Sequence, residues 1–317
     1  MPGPEVCDSS ADDFAAGSVD AGAYVARTAA GGGQVLLTPK VAGEFTGPAL
    51  PAGWVVTPWL EGGSGTLDGG MLVLDGARVG CEPLLLSPRS VEFAAVFAPR
   101  PDQHAGFGTN FVDVPWVMFS TKWGRRLYAR THLLNVEDRK CSGDWLGSRH
   151  VFRIDWNVLD IVFSVDGLRQ AHFMVPVPGH MRGLAANQRL GGPPLSIEWM
   201  RISPYAAAGR FTSRVLDAGG PVEWATARWQ ADVPEGTAID VAVRIGDRGE
   251  PDRRWSPWRP VPPGGRVGGA SRFLQYRVDL RTADRSRTPV LGAMAFGYVP
   301  APGSTSSSVS GSATGFQ

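Results

Sequence analysis

The sequence predicts an all-β protein built from two consecutive β-sandwiches. Short segments of alternating apolar and polar residues recur along the chain, and Gly, Pro, Asp and Asn separate them. No apolar pattern of helical period is sustained anywhere in the chain. The 41 glycines and 26 prolines exceed average usage, which favours many turns over long helices. A chain of 317 residues is long enough for two domains of ordinary size.

The first sandwich is predicted over residues 1–205. Its strands are expected at Met71–Leu74, Val91–Phe97, Trp116–Ser120, Leu127–His132, His150–Trp156, Ile161–Val165 and Ile197–Ile202. The opening 50 residues carry weaker patterns, at Asp12–Phe14, Tyr24 and Val35–Leu37. We interpret them as a segment that wraps the first sandwich as an edge strand, without a domain of its own.

A domain boundary is predicted at Pro204–Gly209, where the chain reads PYAAAG. The second, smaller sandwich follows over 206–299, with strands expected at Arg210–Leu216, Ala225–Ala231, Ile239–Ile245, Phe273–Leu280 and Leu291–Tyr298. Residues 300–317 are rich in Ser, Gly and Thr and carry little apolar surface. We therefore expect a disordered tail there.

Charge and targeting signals restrict the class of partner. The net charge is +1 with both signs mixed along the chain, so neither nucleic acid nor an anionic membrane is an expected partner. The N-terminus has no basic region followed by an apolar one, and no apolar run is long enough for a transmembrane helix. These features predict a cytoplasmic protein.

The three cysteines, Cys7, Cys81 and Cys141, lie far apart and lack the spacing of a metal site. Their odd number favours free thiols in a reducing compartment. One disulfide with a spare thiol is the alternative.

Several motifs carry a family resemblance. Residues 150–167 read HVFRIDWNVLDIVFSVDG and residues 195–203 read LSIEWMRIS. Earlier come GWVVTPW with Trp54 and Trp59, VEFAAVF at Val91–Phe97, and QHAGFGTNF at Gln103–Phe111. Residues 45–205 thereby resemble the laminarinase-type, laminin-G-like, concanavalin-like jelly-roll sandwich of glucanases and lectins. The Asp166-Gly167 dipeptide is a turn pair that closes two strands.

The departure from that family is the absence of its catalytic acids. The resemblance implies a Glu-x-Asp-x-x-Glu strand, but Val114–Thr121 reads VPWVMFST. Retaining glycosidases need two carboxyl groups about 5–5.5 Å apart, and neither face of this strand offers one. Glu92 and Asp113 flank the region without forming such a pair. A retaining glycoside hydrolase is therefore not expected.

The C-terminal part resembles the β-sandwich accessory domains of extracellular bacterial proteins, through FTSRVLDAGGPVEW, RWSPWRPV and SRFLQYRVDL. Its aromatic residues Trp224, Trp229, Trp255 and Trp258 are interpreted mainly as core and turn residues. Stacking on sugar rings is the alternative.

A candidate site follows from the strands that match the glycanase cleft. We expect Trp116, Met118 and Ser120 to form an apolar floor, with Gly106 and Gly108 leaving space above the sheet. The predicted catalytic residues are His104, Tyr128 and Arg130, and the predicted substrate-binding residues are Trp116, Met118, Ser120, Asn110 and His132. Structural alternatives stay open for most of these polar groups: a loop hydrogen bond for His104, a surface position for His132, a core position for Tyr128, and an ion pair of Arg130 with Asp155 or Glu92.

Three functions fit these observations. The leading hypothesis is a cofactor-independent cyclase or isomerase of secondary metabolism, which folds an apolar small molecule in the groove. The alternative is a non-hydrolytic, lectin-like protein that binds a glycan, and a structural module pair is the third. No cofactor motif is present, and a structural calcium ion near Asp12, Asp13 or Asp166 is the weakest expectation.

Overall fold

A computed structural model describes residues 3–300, and β-strands dominate it. The helix α1 (Ala11–Ala15) has five residues, and no helix within residues 3–300 is long and apolar enough to cross a membrane. The strands are β1 (Glu5–Asp8), β2 (Ser18–Val19), β3 (Ala23–Arg27), β4 (Gly33–Leu37), β5 (Val41–Glu44), β6 (Trp54–Pro58), β7 (Ser64–Asp68), β8 (Met71–Asp75), β9 (Ala77–Cys81), β10 (Arg89–Val96), β11 (Gln103–Gly108), β12 (Trp116–Lys122), β13 (Arg126–His132), β14 (Val136–Lys140), β15 (Arg149–Trp156), β16 (Ile161–Val165), β17 (Leu168–Phe173), β18 (Arg182–Asn187), β19 (Leu195–Ile202), β20 (Ala208–Thr212), β21 (Leu216–Asp232), β22 (Thr237–Gly246), β23 (Arg259–Pro260), β24 (Ala270–Thr282) and β25 (Val290–Pro300).

The first unit is a two-sheet sandwich, as the sequence predicts. Its seven-stranded sheet has the order β14-β13-β12-β11-β18-β9-β6. Its eight-stranded sheet has the order β17-β16-β15-β10-β19-β8-β7, with β5 also paired to β19. The pairings that build both sheets are antiparallel, so side chains alternate between the shared core and the outer faces.

The core of this sandwich is aromatic. Phe152 stacks on Phe93 at a ring-centroid distance of 5.3 Å, and Phe119 meets Phe152 edge-on at 5.2 Å. Phe119 lies on the seven-stranded sheet and the other two on the eight-stranded sheet, so these contacts join the layers. Burial of such rings contributes roughly 1.5–3 kcal/mol each relative to exposure.

The second unit is a ten-stranded sheet around a separate hydrophobic core, which includes Trp224, Tyr276 and Phe296. The all-β class of both units is thus confirmed. Val299 and Pro300 belong to β25, so the predicted tail does not begin at residue 300. The rest of that prediction, residues 301–317, lies outside the described residues.

The N-terminal segment belongs to the second unit, which corrects the predicted boundary of the first. Strand β1 pairs with β25 over Glu5–Asp8, and β2 pairs with β20. Strand β4 pairs with β25 and with β3, and Phe14 of α1 packs edge-on against Phe211. The apolar pattern of these short segments marks them as buried, but it does not identify the sheet that they complete.

Polar contacts join the two units. The Arg201 guanidinium of the first sandwich binds Glu44 at 2.7 Å and also donates to the Gln34 side chain of β4 at 3.2 Å. Glu198 accepts a hydrogen bond from the backbone N–H of Ala29 at 2.7 Å. Arg201 and Glu198 are almost fully buried, so these contacts lie beneath the surface between the units.

Candidate functional site

The predicted floor strand lies where expected, but it is covered. Trp116 and Met118 of β12 share the outer face of the seven-stranded sheet, whereas Val117 and Phe119 face the core. Trp116 is 6% exposed and Met118 is 3% exposed, because Phe111, Leu184 and neighbouring apolar groups pack over them. The residues predicted to line an open apolar groove therefore form a small buried cluster on the outer face of this sheet.

Protein atoms fill the space that is predicted above Gly106 and Gly108. A Cβ placed on Gly108 would lie 2.9 Å from the Phe111 ring, so glycine is required there to admit the ring. A Cβ on Gly106 would lie 2.3 Å from the carbonyl oxygen of Val117, so this glycine allows close approach of backbone. The expectation that these glycines leave room for a ligand is wrong, since protein occupies both places.

Two of the predicted catalytic residues meet in one hydrogen-bonded chain. His104 Nδ1 lies 2.5 Å from Ser120 Oγ, and Arg130 Nη1 donates to the same oxygen at 3.2 Å. Arg130 Nε also donates to Asp138 at 2.6 Å. The sequence alternatives named Asp155 or Glu92 as the partner of Arg130, and both are wrong because those residues lie on the eight-stranded sheet.

The surroundings of His104 keep it neutral. Burial lowers the pKa of His104 to about 4, and the positive charge of Arg130 acts in the same direction. The polar side chain of Gln188 and the negative charge of Asp102 oppose this shift in part. His104 is therefore uncharged at neutral pH and contacts Ser120 in that form.

The other predicted residues have local contacts. Tyr128 is half-buried, with the Lys122 ammonium 5.1 Å from its ring centre. His132 packs edge-on against Trp116 at a centroid distance of 5.1 Å. The Asn110 side chain accepts from the N–H groups of Val112 and Asp113, which fixes the β11–β12 loop. None of these three residues lines either of the two grooves described next.

A shallow groove of about 450 Å³ lies beside this covered face, at the ends of β11 and β18. It is lined by Trp59, Leu60, Arg100, Asp102, Gln188, Arg189 and Leu190. Its lining combines apolar side chains with a carboxylate, an amide and two guanidinium groups. Such a set offers both hydrogen-bond donors and acceptors next to apolar surface.

An ion pair fixes the polar part of the groove. Arg189 donates to Asp102 Oδ2 from Nε at 2.8 Å and from Nη2 at 2.6 Å. The backbone of Asp102 has a positive φ of 68°, a left-handed conformation that costs free energy in most residues but that Asp tolerates. Its N–H donates to Thr121 at 3.0 Å, and its carbonyl accepts from Gln188 at 2.9 Å. These bonds hold Asp102, Gln188 and Arg189 in one arrangement.

Tryptophans lie at both edges of the groove. The Arg189 guanidinium stacks 4.9 Å from the ring centre of Trp123, whose side chain is 73% exposed in the β12–β13 turn. At the other edge the Arg78 guanidinium lies 5.7 Å from the ring centre of Trp59. The exposed face of Trp123 is available to a ligand because Arg189 covers only one side of the ring.

A second groove, of about 500 Å³, lies on the ten-stranded sheet. It is lined by Asp20, Ala208, Gly209, Arg210, Asp240, Asp279, Leu280 and Arg281. Arg210 binds Asp279 at 2.6 Å, and Arg281 binds Asp240 at 2.5 Å. Its charged groups thus pair with one another, and its lining has no aromatic side chain. We regard the first-sandwich groove as the better candidate site.

The carboxylates predicted as calcium ligands bind groups of the protein instead. Asp12 pairs with Arg27, and Asp13 caps α1 by accepting from the Ser10 N–H at 3.1 Å. Asp166 accepts from the Val151 N–H at 2.8 Å and contacts His150. Within residues 3–300 no group of three or more His, Cys, Asp and Glu side chains is arranged to hold a metal ion. All three cysteines are free.

Sequence reasoning missed most of the groove. Trp123 stands in the turn KWGRR, and a large aromatic residue in a turn is a usable signal for a binding position. The sequence contains no comparable signal for Asp102 and Arg189. They meet only because β11 pairs with β18, and these strands are far apart in the sequence.

Comparison with solved structures finds partial likenesses, over about half of this chain. No protein-family model matches the chain, and no curated protein sequence matches it. Among solved structures, a Bacillus licheniformis β-glucanase is 14% identical with a TM-score of 0.38, over 51% of this chain and 97% of that chain. The Emp47p carbohydrate recognition domain is 11% identical with a TM-score of 0.40, over 51% of this chain and 93% of that chain.

A third similar structure is the Crh5 transglycosylase, 13% identical with a TM-score of 0.40, over 51% of this chain and 83% of that chain. All three likenesses are partial and of low identity, so the two-sheet architecture stands on the strand pairings themselves. The function proposed below rests on the groove.

Proposed function

We propose that the protein binds a carbohydrate, without hydrolysing it, in the first-sandwich groove. The observation that carries this proposal is the combination of an exposed Trp123 with the planar polar groups of Asp102, Gln188 and Arg189. Sugar rings present C–H faces that pack on aromatic rings, and hydroxyl groups that both donate and accept hydrogen bonds. The groove offers partners for both, already held by its own hydrogen bonds.

The carboxylates of the groove support binding without hydrolysis. Retaining hydrolysis needs two carboxyl groups about 5–5.5 Å apart, and inverting hydrolysis needs two at a wider spacing. Asp102 is the only carboxylate among the residues that line this groove, and Arg189 binds it. The groove therefore supports binding better than acid-base cleavage of a glycosidic bond.

The cyclase or isomerase hypothesis depended on an open apolar floor at Trp116, Met118 and Ser120. Those side chains are buried beneath Phe111 and its neighbours, so a flexible apolar substrate has no access to them in this conformation. The groove that is open has a polar floor and aromatic edges. Its chemistry matches a hydroxylated ligand better than a hydrocarbon.

A glycan array followed by calorimetry on soluble β-glucans tests this proposal. We expect heat with at least one polysaccharide and weaker binding by Trp123→Ala, about fivefold, since one aromatic contact contributes about 1 kcal/mol. Trp258→Ala is the matched control, because it removes the same kind of side chain from the second unit. If no glycan on the array binds, or if Trp258→Ala weakens binding as much as Trp123→Ala, the proposal is wrong.

A further inference from the structure

A hydrogen-bonded Ser-His-Asp chain lies on the first sandwich, outside both grooves. Ser148 Oγ lies 2.8 Å from His150 Nε2, and His150 Nδ1 lies 2.7 Å from Asp166 Oδ2. Ser148 directly precedes β15 and His150 is the second residue of that strand, and the hydrogen bond between them brings their side chains together. Asp166 reaches them from the turn between β16 and β17.

The chemical nature of these three side chains determines which atoms donate and which accept hydrogen bonds. An ionised carboxylate only accepts hydrogen bonds, so in the neutral form of the His150 ring Nδ1 carries the proton that is donated to Asp166. Nε2 is then an acceptor, and the Ser148 hydroxyl donates to it. This is the arrangement in which a serine is activated by a general base that a third group orients.

The position of the histidine is fixed from several sides. Asp166 has a positive φ of 47°, and its second oxygen accepts from the Val151 N–H at 2.8 Å, so its carboxylate is tied to β15. The ring of Trp145 packs edge-on against His150 at a centroid distance of 5.1 Å. His150 is mostly buried by these contacts, whereas Ser148 is exposed to solvent.

We propose that Ser148 is an activated nucleophile and that this site hydrolyses short acyl esters. Ser148 Oγ attacks the ester carbonyl carbon while its proton passes to His150 Nε2. The carbon–oxygen bond to the alcohol breaks, and the departing oxygen takes that proton, which leaves an acyl-serine. Water then attacks the acyl carbon through the same base, releases the carboxylic acid, and returns the proton to Ser148.

The exposed position of Ser148 sets the substrate class. Neither groove includes Ser148, so neither provides it with a pocket for a long acyl chain. An acetyl group on an accessible alcohol is the chemistry that fits an exposed serine. The proposal is independent of carbohydrate binding in the groove.

Labelling with a fluorophosphonate probe and hydrolysis of p-nitrophenyl acetate test the proposal. We expect the probe on Ser148 in the full-length protein, located by peptide mass spectrometry. Ser148→Ala and His150→Gln should each lower the rate of acetate release at least about 100-fold. Both side chains lie at the surface end of a strand, and thermal unfolding verifies that the variants fold.

The chain offers matched controls. Ser142 is an exposed serine of the same segment, and His172 forms a His–Asp pair with Asp160 through Nε2 at 2.6 Å, with no serine of residues 3–300 hydrogen-bonded to it. Ser142→Ala and His172→Gln should leave labelling and hydrolysis unchanged. Labelling elsewhere than Ser148, no labelling at all, or a Ser148→Ala variant with wild-type hydrolysis would each overturn the proposal.

Asp166 positions His150, and its substitution can be followed separately through the tautomer of the His150 ring. In Asp166→Asn the new amide keeps an oxygen for the Val151 N–H but turns a donor towards His150 Nδ1. The proton then moves to Nε2, which no longer accepts from Ser148. We expect slower labelling with unchanged thermal stability, and a change of the His150 tautomer in ¹⁵N NMR spectra. Fast labelling by a protein with the altered tautomer would contradict this role.

Discussion

At the scale of single residues, His104 lies on the covered face of the sheet close to the groove. Its Nδ1 lies 2.5 Å from Ser120 Oγ, and Gln188, which lines the groove, influences its pKa. Burial keeps the imidazole uncharged, because a charged ring would lose its hydration, and the charge of Asp102 offsets that loss only in part.

The titration of His104 makes stability depend on pH. The folded pKa of His104, about 4, is below the ordinary value of 6.5, so between these values the unfolded chain binds a proton that the folded protein does not. Stability is then lost as pH falls through that window, by about 2 kcal/mol between pH 7 and pH 5. Below the folded pKa the loss is complete.

Urea denaturation of the wild type and His104→Gln at pH 7 and pH 5 measures this contribution. The variant should lose about 2 kcal/mol less on acidification than the wild type. Burial raises the pKa of Glu92 and of Asp8, which favours the folded state at low pH, but these terms are common to both proteins and cancel in the comparison. Equal losses in the two proteins would show that His104 is not the buried neutral group described here.

Sequence reasoning located His104, Ser120 and Arg130 on one face of the sheet, because strand periodicity assigns alternate residues to the same side. It could not predict how deeply these side chains are buried. The exposure of that face depends on Phe111, which reaches over it from a loop that has no periodicity to interpret.

At the scale of elements, the loop between β11 and β12 determines which part of the sandwich is accessible. Phe111 lies in this loop with a positive φ of 63°, an unfavourable conformation for a bulky residue. The loop is nevertheless held, because Asn110 caps it and the Phe111 ring is 94% buried over Trp116 and Met118. Ring burial thus offsets the backbone strain.

Truncation of Phe111 should therefore be costly. We expect Phe111→Ala to lower the free energy of unfolding by about 3 kcal/mol, since it leaves a cavity above Trp116 and retains the unfavourable φ. Val112→Ala is the matched control: its side chain is 65% exposed and should change stability by less than about 0.5 kcal/mol. Equal, small effects in urea denaturation would mean that Phe111 is not packed on the sheet.

The strands were predictable for a simple reason. In β15, Phe152, Ile154 and Trp156 point to the core and alternate with the polar Arg153 and Asp155, so the sequence carries the period of two. Loops carry no such period. The groove residues stand in loops and at strand ends, which is why the architecture could be predicted and the groove could not.

At the scale of the whole molecule, the two units are connected by two chain crossings and by buried polar contacts. The segment that precedes the first sandwich in the chain completes the sheet of the second, so the chain crosses between the units twice. The sequence pattern does not predict that the N-terminal strands pair with the strands of the second unit. Buried polar groups, with Arg201 at the centre, connect the units where the crossings meet.

Removal of Arg201 should loosen that connection. Arg201→Ala leaves the Glu44 carboxylate without its partner, and breaking a buried pair from one side costs about 3–5 kcal/mol. We expect calorimetric unfolding to shift to lower temperature and to separate into two transitions. Arg126→Ala, at an exposed position of β13, is the control and should unfold as the wild type does. A single unshifted transition in Arg201→Ala would contradict this role.

The most direct test of carbohydrate binding is an NMR titration that follows the indole N–H signals of the tryptophans with a soluble β-glucan. The proposed site predicts concentration-dependent shifts of the Trp59 and Trp123 signals, while those of Trp224 and Trp255 in the second unit stay in place. Shifts confined to the second unit, or no shift with any glycan on the array, would contradict a carbohydrate site in the groove of the first sandwich.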